Sequence, residues 1–169
     1  MIRQEIPLRQ GQGITCTRFY ITYADLATLT GTGVQTLTLQ DAGGNLFQVA
    51  QGGLVTPGIR MKLDTVFSGG SLTALTCTVG QLGDTTNNTF FSSTPFNLLG
   101  TVGDNAGILE VSLFKAGQDA AYNVIIAFTG DGTHALSGVT AGAFHIDVFV
   151  AQFGPINAQS NPPALLPAP

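Results

Sequence analysis

The chain of 169 residues contains two histidines and ten carboxylates with which it could bind a metal ion or transfer a proton. His134 follows Asp131 in the sequence GDGTH. His145 precedes Asp147 in the sequence FHIDVFV, where alternation predicts that His145 is a polar outward or interface residue of a strand. A metal centre of the cupin type needs several converging nitrogen or oxygen ligands, and neither an H-x-H nor an H-x-x-H spacing occurs. The D-x-D-x-D-G spacing of a calcium loop is also missing, and Asp84 and Asp131 lie in ordinary turn sequences. We therefore expect no metal ion and no cofactor.

Signatures of nucleophilic catalysis and of phosphate binding are missing as well. There is no G-x-S-x-G elbow, no paired cysteine and histidine signature, and no close carboxylate pair on one strand. The glycine-rich sequences GTG (31–33) and SGGS (68–71) are followed by neither a helix nor the lysine of a phosphate loop. Cys16 and Cys77 lie among β-forming residues, which favours buried free thiols over a Cys16–Cys77 bridge or a reactive role. The sequence predicts that the chain is not an enzyme.

Charged residues are scarce, at 9% of the chain against roughly 25% in ordinary soluble domains. A surface with so little charge protects a monomer poorly against association, so we expect it to be covered by another protein or by further copies, as a homo-dimer or homo-trimer. The net charge of −4 with six Lys and Arg residues argues against nucleic acid as a partner. No apolar run is long enough for a membrane helix, and the amino terminus lacks the apolar segment of a signal peptide. We expect synthesis in the cytoplasm and no membrane partner.

An alternation of apolar and polar residues, typical of strands with one buried side, is clearest at 59–80. The first arm of this stretch has an apolar face formed by Ile59, Met61 and Leu63 and a charged face formed by Arg60, Lys62 and Asp64. The second arm places Leu75, Cys77 and Val79 on one face. Between the arms, SGGS (68–71) supplies the positive-φ residues that a tight reversal needs. The stretch predicts a β-hairpin.

Further strands are predicted at 14–23, 34–39, 46–50, 89–99, 108–114, 122–129 and 139–153, whereas 24–27 is at most one helical turn. The strand at 122–129 is apolar at nearly every position, as expected of a central strand covered on both faces. Phenylalanines 90, 91 and 96 are expected to fill the core. About eight strands without a convincing helix predict an all-β fold, an antiparallel β-sandwich of jelly-roll-like type. We divide the chain into an extended N-terminal arm (1–13), one β-sandwich domain (14–153) and an extended Pro-rich tail (154–169).

Four stretches of the chain resemble a group of virion proteins of tailed bacteriophages. They are ITYADLATL (21–29), GIRMKLDTVFSGGSLTALTCTVG (58–80), GDTTNNTFF (83–91) and VIIAFTGDGTHALSGVTAGAFHIDVFVAQF (124–153). In that group a strand ending in F-x-G-G is followed by an S-x-(S/T)-x-x-V-G strand, a loop with G-(D/N)-T-T, and a final (S/T)-A-G-x-x-x-(I/V)-x-V strand. The similarity spans residues 20–153, and the Pro-rich tail departs from it. The resemblance implies a small β-sandwich capsid decoration, or cement, protein on the outside of the virion.

On this interpretation the partner is the major capsid protein, and the contacts come from the two ends of the chain and from the charged face of 59–64. The predicted contact residues are Arg3, Gln4, Glu5, Arg9, Arg60, Lys62, Asp64, Pro162, Pro163, Leu165 and Leu166. The charged face at 60–64 is either a solvated surface or such a docking edge. An alternative function is a glycan- or receptor-binding module of a head or tail fibre that uses loops 81–88 and 130–138. The chain has no Trp, and its three tyrosines lie inside predicted strands, which weakens that alternative.

Overall fold

A computed structural model of the chain describes residues 1–6, 14–49, 53–83, 91–103, 105–108 and 121–152. These ranges hold one four-residue helix, α1 (Tyr23–Leu26), a 3-10 turn (Leu136–Gly138) and ten strands. The strands are β1 (Ile2–Ile6), β2 (Ile14–Thr22), β3 (Gln35–Thr38), β4 (Gln48–Val49), β5 (Gly53–Gly69), β6 (Thr76–Gln81), β7 (Phe91–Asn97), β8 (Asn105–Ile108), β9 (Tyr122–Thr129) and β10 (Val139–Gln152). The all-β prediction is confirmed. No helix in the described ranges has the length and apolar character to cross a membrane.

The strands form two antiparallel sheets that enclose one core. The first sheet has the order β1-β2-β10-β5-β8, and the second has the order β3-β9-β6-β7, with β4 also paired to β9. The pairs are nested along the chain, because β6 pairs with β7, β5 with β8, β3 with β9 and β2 with β10. A nested antiparallel ribbon rolled into two sheets is a jelly roll, so this part of the fold prediction is also confirmed.

The hairpin predicted at 59–80 is wrong. β5 lies in the first sheet, between β10 and β8, whereas β6 lies in the second sheet, between β9 and β7. The assignment of faces within each arm is nevertheless confirmed, because Ile59, Met61 and Leu63 are buried and so are Leu75, Cys77 and Val79. The two apolar faces meet across the core, where the Cys77 thiol lies 3.9 Å from the Met61 sulfur. Alternation shows which side of a strand is buried but does not identify the strand that pairs with it.

The connection between β5 and β6 crosses from one sheet to the other through three consecutive residues with positive φ. These are Gly69 (104°), Gly70 (63°) and Ser71 (58°), in the sequence where positive φ was expected. A side chain at Gly70 would collide with the backbone of Gly138, so the crossing also packs tightly against the loop before β10. Glycine is needed here both for its left-handed conformation and for its lack of a side chain.

Large apolar residues from both sheets fill the core. Phe144 of β10 lies at its centre, with ring centroids 6.0 Å from Phe67, 6.4 Å from Phe96 and 6.3 Å from Phe128. The core role expected of Phe96 is confirmed, whereas the side chains of residues 90 and 91 lie outside the described part. Residues Val124–Phe128 of β9 are all buried, as expected of a central strand. Cys16 and Cys77 are buried free thiols, and burial raises the pKa of Cys77.

The amino terminus is part of the domain in its described residues. Ile2–Ile6 form β1, which pairs with β2 along the edge of the first sheet, so these residues do not extend away as an arm. The Met1 ammonium group pairs with Asp25, whose carboxylate also accepts from the Thr22 N–H at the start of α1. The prediction of an arm is corrected for residues 2–6, and residues 7–13 lie outside the described part.

Candidate functional site

The outward side of the first sheet carries aligned rows of polar side chains. Antiparallel register places Gln4, Arg18, Asp147 and Arg60 side by side across β1, β2, β10 and β5. The next row contains Tyr20, His145 and Lys62. We call these seven residues and Asp64 the polar face. The register therefore brings four of the predicted contact residues together with four that were not predicted as contacts.

An ion pair between β2 and β10 lies at the centre of the polar face. Arg18 donates from Nε to Asp147 Oδ1 at 2.6 Å and from Nη2 to Asp147 Oδ2 at 2.8 Å. The Asp147 side chain is 3% exposed and that of Arg18 is 27% exposed. The hydrogen bonds to Asp147 raise the pKa of Arg18 above its already high ordinary value. This two-point contact satisfies a buried carboxylate and fixes the guanidinium plane.

His145 and Asp64 form a second polar pair, between β10 and β5. His145 Nδ1 lies 2.7 Å from Asp64 Oδ2. The register shifts by one residue here, because Ala143 is opposite Thr65 while Phe144 is opposite Leu63. Asp64 is the extra residue of this β-bulge, a feature that can redirect a side chain. His145 was expected to be an outward polar residue, and it lies on that side but is only 8% exposed.

Tyr20 links the two pairs. Its ring centroid lies 5.8 Å from that of His145 and 6.0 Å from the Arg18 guanidinium carbon, and its hydroxyl donates to Gln4 Oε1 at 3.4 Å. In the part of the chain that the structure describes, His145 has no hydrogen-bonded hydroxyl or thiol that it could activate. The geometry therefore joins the two pairs into one contact surface across β1, β2, β10 and β5.

Arg60 and Lys62 differ from the rest of the polar face. Both are exposed, and neither forms an ion pair with any residue in the described ranges. Their nearest acidic neighbours on this face are already engaged, since Asp147 binds Arg18 and Asp64 binds His145. Within the described ranges, two exposed cations without an ion-pair partner therefore lie beside two hydrogen-bonded pairs.

Among the other predicted contact residues, only Arg3 has a described side chain, and it does not join the polar face. Arg3 lies opposite the core residue Phe19, and its guanidinium carbon is 5.4 Å from the centre of the Phe47 ring. Glu5 is opposite Thr17 in the β1–β2 register, but its side chain is not described. The predicted contacts of the tail, Pro162, Pro163, Leu165 and Leu166, lie outside the described residues, as does Arg9.

The loop at 130–138 is held by Asp131. Its carboxylate accepts hydrogen bonds from the backbone N–H groups of Thr73, Thr133 and His134, at 2.9 to 3.0 Å, and lies 2.9 Å from His134 Nδ1. These bonds lower the pKa of Asp131. The carboxylate joins this loop to the β5–β6 connection. Within the described ranges, no group of three or more His, Cys, Asp or Glu residues has the arrangement of a metal site.

The two loops proposed for glycan binding begin at opposite ends of β9. Leu82, after β6, donates its N–H to the Asn123 carbonyl near the start of β9, whereas the loop 130–138 begins after Thr129 at the other end. Seven strand steps of about 3.3 Å separate these ends by roughly 23 Å. The described ends of the two loops therefore do not meet in one pocket.

Sequence reasoning did not identify Arg18, Tyr20 or Asp147 as contributors to this surface. One signal was present: an ionisable pair, His145 and Asp147, interrupts the outward side of the long final strand. A charged residue at the centre of a sheet needs a partner on a neighbouring strand. The sequence did not show which strand would provide that partner. No protein-family model, curated protein or solved structure matches the chain.

Proposed function

We propose that the chain is a non-enzymatic structural protein of a phage virion. It binds the outer surface of the capsid as a decoration or cement protein and stabilises the contacts between capsomers. Its partners are the major capsid protein and further copies of itself. It is made in the host cytoplasm and resides on the capsid exterior.

The observation that carries this proposal is the polar face. It extends over four neighbouring strands, and its buried ionisable groups are paired while two exposed cations remain unpaired within the described ranges. The paired side chains of such a surface are held by hydrogen bonds before it meets a partner, so they lose little conformational entropy on docking. Rigidity of this kind suits a protein whose task is to hold neighbouring subunits in fixed positions.

The jelly-roll fold and the low charge of the chain give further support. Jelly rolls occur in viral capsid proteins but also in lectins and cupins, so the fold leaves the function open by itself. With 9% charged residues, the chain has little charge to oppose association with other proteins. The resemblance to phage virion proteins favours the capsid among these settings.

Stabilisation of the shell follows from mass action. A protein that binds the assembled lattice but not the dissociated subunits shifts the assembly equilibrium towards the lattice. No catalytic group is required, and the effect grows with the concentration of the free protein. The polar face provides the fixed contact, and binding by the tail residues Pro162, Pro163, Leu165 and Leu166 stays a prediction.

The test is a comparison of purified phage particles made with and without the gene for this chain. We expect a reconstruction of the complete particle to show jelly-roll density on the outside of the shell. Particles without the protein should release their DNA at a lower temperature, and added recombinant protein should restore the original value. Absence of the chain from intact particles, or a position inside the shell, would contradict the proposal.

Removal of residues 1–13 is not a clean test of contacts by the amino terminus. That deletion would remove β1 from the sheet together with the Met1–Asp25 ion pair. Substitution of Leu165 and Leu166 by Ser is the better probe of the tail, because it leaves every described contact in place. The doubly substituted protein should bind particles more weakly than the original chain while unfolding at the same temperature.

A further inference from the structure

We propose that Arg60 and Lys62 dock the chain onto an acidic protein surface. The inference rests on the proposed function and specifies its chemistry, since the outer side of the shell would present carboxylates to this part of β5. The partner contact is then an electrostatic one between two exposed cations and carboxylates at matching positions.

The charge of the sequence is divided unevenly between the polar face and the rest of the chain. The polar face contains three of the six basic residues and two of the ten acidic residues, so its formal charge is +1. The remaining three basic and eight acidic residues give the rest of the sequence a charge of −5. A partner with an acidic surface is therefore attracted to this face and repelled by the rest of the chain. This favours the orientation in which the polar face meets the partner.

The geometry of β5 sets the spacing of the two basic residues along the strand. Residues 60 and 62 lie on the same side of the strand, about 6.6 Å apart along it. Their strand is held on both sides, since Arg60 is opposite Asp147 and Gly107, and Lys62 is opposite His145 and Asn105. Carboxylates at alternate positions of an extended segment have the same spacing and could pair with both cations.

Neither acidic residue of the face forms an ion pair with Arg60 or Lys62. Both oxygens of Asp147 accept from Arg18, and Asp64 is bound to His145. A different arrangement, with Asp147 paired to Arg60, would leave Arg18 as the uncompensated residue near the sheet edge. The observed pairing instead leaves the exposed β5 residues Arg60 and Lys62 without an ion pair in the described ranges.

Among the described residues, the acidic side chains outside the polar face are already bound within the chain, which favours a different protein over a second copy as the partner. In the described ranges, Asp25, Asp41 and Asp131 each accept hydrogen bonds from the chain itself. Nucleic acid fits less well too, because phosphate binding needs more basic groups than two and the net charge of −4 opposes it. An acidic surface on an unlike protein is the occupant that these charges favour.

The experiment measures binding of the full chain to purified particles that lack it, at several salt concentrations. The test variant carries Arg60→Gln and Lys62→Gln, which lowers the net charge by two. The matched control carries Thr36→Glu and Thr129→Glu, two exposed positions of the second sheet, and lowers the net charge by the same amount. We expect the test variant to bind about tenfold more weakly with a flatter salt dependence, and the control to bind within about twofold of the original chain.

The outcomes separate the inference from the proposed function. If the original chain binds and the test variant binds equally well, the acidic-partner inference is wrong while the proposed function stands. Equal losses of particle affinity in the test variant and the control would also overturn the inference, because the change in net charge alone would then explain the weaker binding. If the original chain does not bind particles at all, both proposals fail.

Two further measurements address the other occupants. Light scattering of the original chain and the test variant reports their oligomeric state, and a change from oligomer to monomer would assign the two cations to contacts between copies. Binding of duplex DNA with an affinity equal to that for particles would show a general attraction to polyanions. Either result would overturn the acidic-partner inference, and we expect neither.

Discussion

The two faces of the first sheet are formed by alternate residues of the same strands, yet different interactions cover them. On β10, Phe144, Ile146 and Val148 point into the core and are fully buried. His145 and Asp147 point outward, and they are only 8% and 2% exposed. Both sides of this strand are thus shielded from water, one by apolar contacts and the other by hydrogen-bonded polar pairs.

The difference shows how each face contributes to the fold. Burial of apolar area stabilises the folded chain in proportion to the area removed from water. The effect is non-directional, so it does not depend on which apolar residues are in contact. An ion pair such as Arg18–Asp147 gives little net stability relative to an apolar pair, but loss of one partner leaves a costly charge. We therefore expect the inner face to provide most of the free energy of unfolding and the outer face to favour one strand register.

The largest effect is expected from Phe144→Ala on the inner face. The substitution removes a ring that contacts Phe67, Phe96 and Phe128, and we expect a loss of about 3–5 kcal/mol in the free energy of unfolding. Urea denaturation measures this loss. Phe144→Leu keeps part of the volume and should cost less. A loss below about 1 kcal/mol for the alanine variant would contradict the central position of this ring.

On the outer face, Asp147→Ala should cost about 2–3 kcal/mol, because it leaves the Arg18 guanidinium without its carboxylate. We place the cost below that of Phe144→Ala since the Arg18 side chain is 27% exposed and water replaces part of the lost interaction. Urea denaturation again provides the measurement.

The double variant Arg18→Met with Asp147→Leu sharpens the comparison. It removes both charges and keeps the volume, so its stability should lie within about 1 kcal/mol of the original chain. A double variant at least as unstable as Asp147→Ala would show that the ion pair itself stabilises the sheet. The contrast between the two faces would then be wrong.

The sequence predicted the inner face well because period-2 alternation depends only on which side of a strand is buried. The faces of Ile59, Met61 and Leu63 and of Leu75, Cys77 and Val79 followed directly from it. The hairpin prediction failed because two such arms bury their apolar sides equally well as neighbours in one sheet or as opposing strands of a sandwich. In a nested ribbon the central hairpin is the β6–β7 pair, and β5 and β6 lie in opposite sheets.

The outer face was predicted only in part, because its contacts depend on register between distant strands. Alternation placed Arg60, Lys62 and Asp64 together and put His145 on the outward side. It did not pair Arg18 with Asp147, which is 129 positions away in the sequence. The bulge that brings Asp64 to His145 changes the register by a single residue, and no composition or spacing in the sequence marks it.

A smaller effect is expected in acid, from a carboxylate that lies in neither face. The hydrogen bonds to Asp131 lower its pKa in the folded chain, so its contribution to stability is present above the ordinary Asp pKa and is lost as the pH falls below it. Between about pH 5 and about pH 2, Asp131→Asn should therefore lose less stability than the original chain. Asp41, whose pKa is lowered in the same direction, should retain part of the acid sensitivity in that variant. Thermal unfolding across this range measures how steeply the stability of the original chain and of the variant falls with pH. Equal slopes for the two proteins would show that Asp131 does not contribute to the acid sensitivity.

The smallest effect on stability is expected from Lys62→Glu, and this variant separates the folding role of the outer face from its docking role. Lys62 is exposed and forms no ion pair within the described ranges, so the free energy of unfolding should change by less than about 0.5 kcal/mol. Particle binding should nevertheless weaken, because the substitution places a negative charge where an acidic partner would approach. A stability loss above about 1 kcal/mol would instead assign Lys62 to the network that holds the strands together. The outer face would then be a structural feature of the sheet, with no separate evidence for docking at this position.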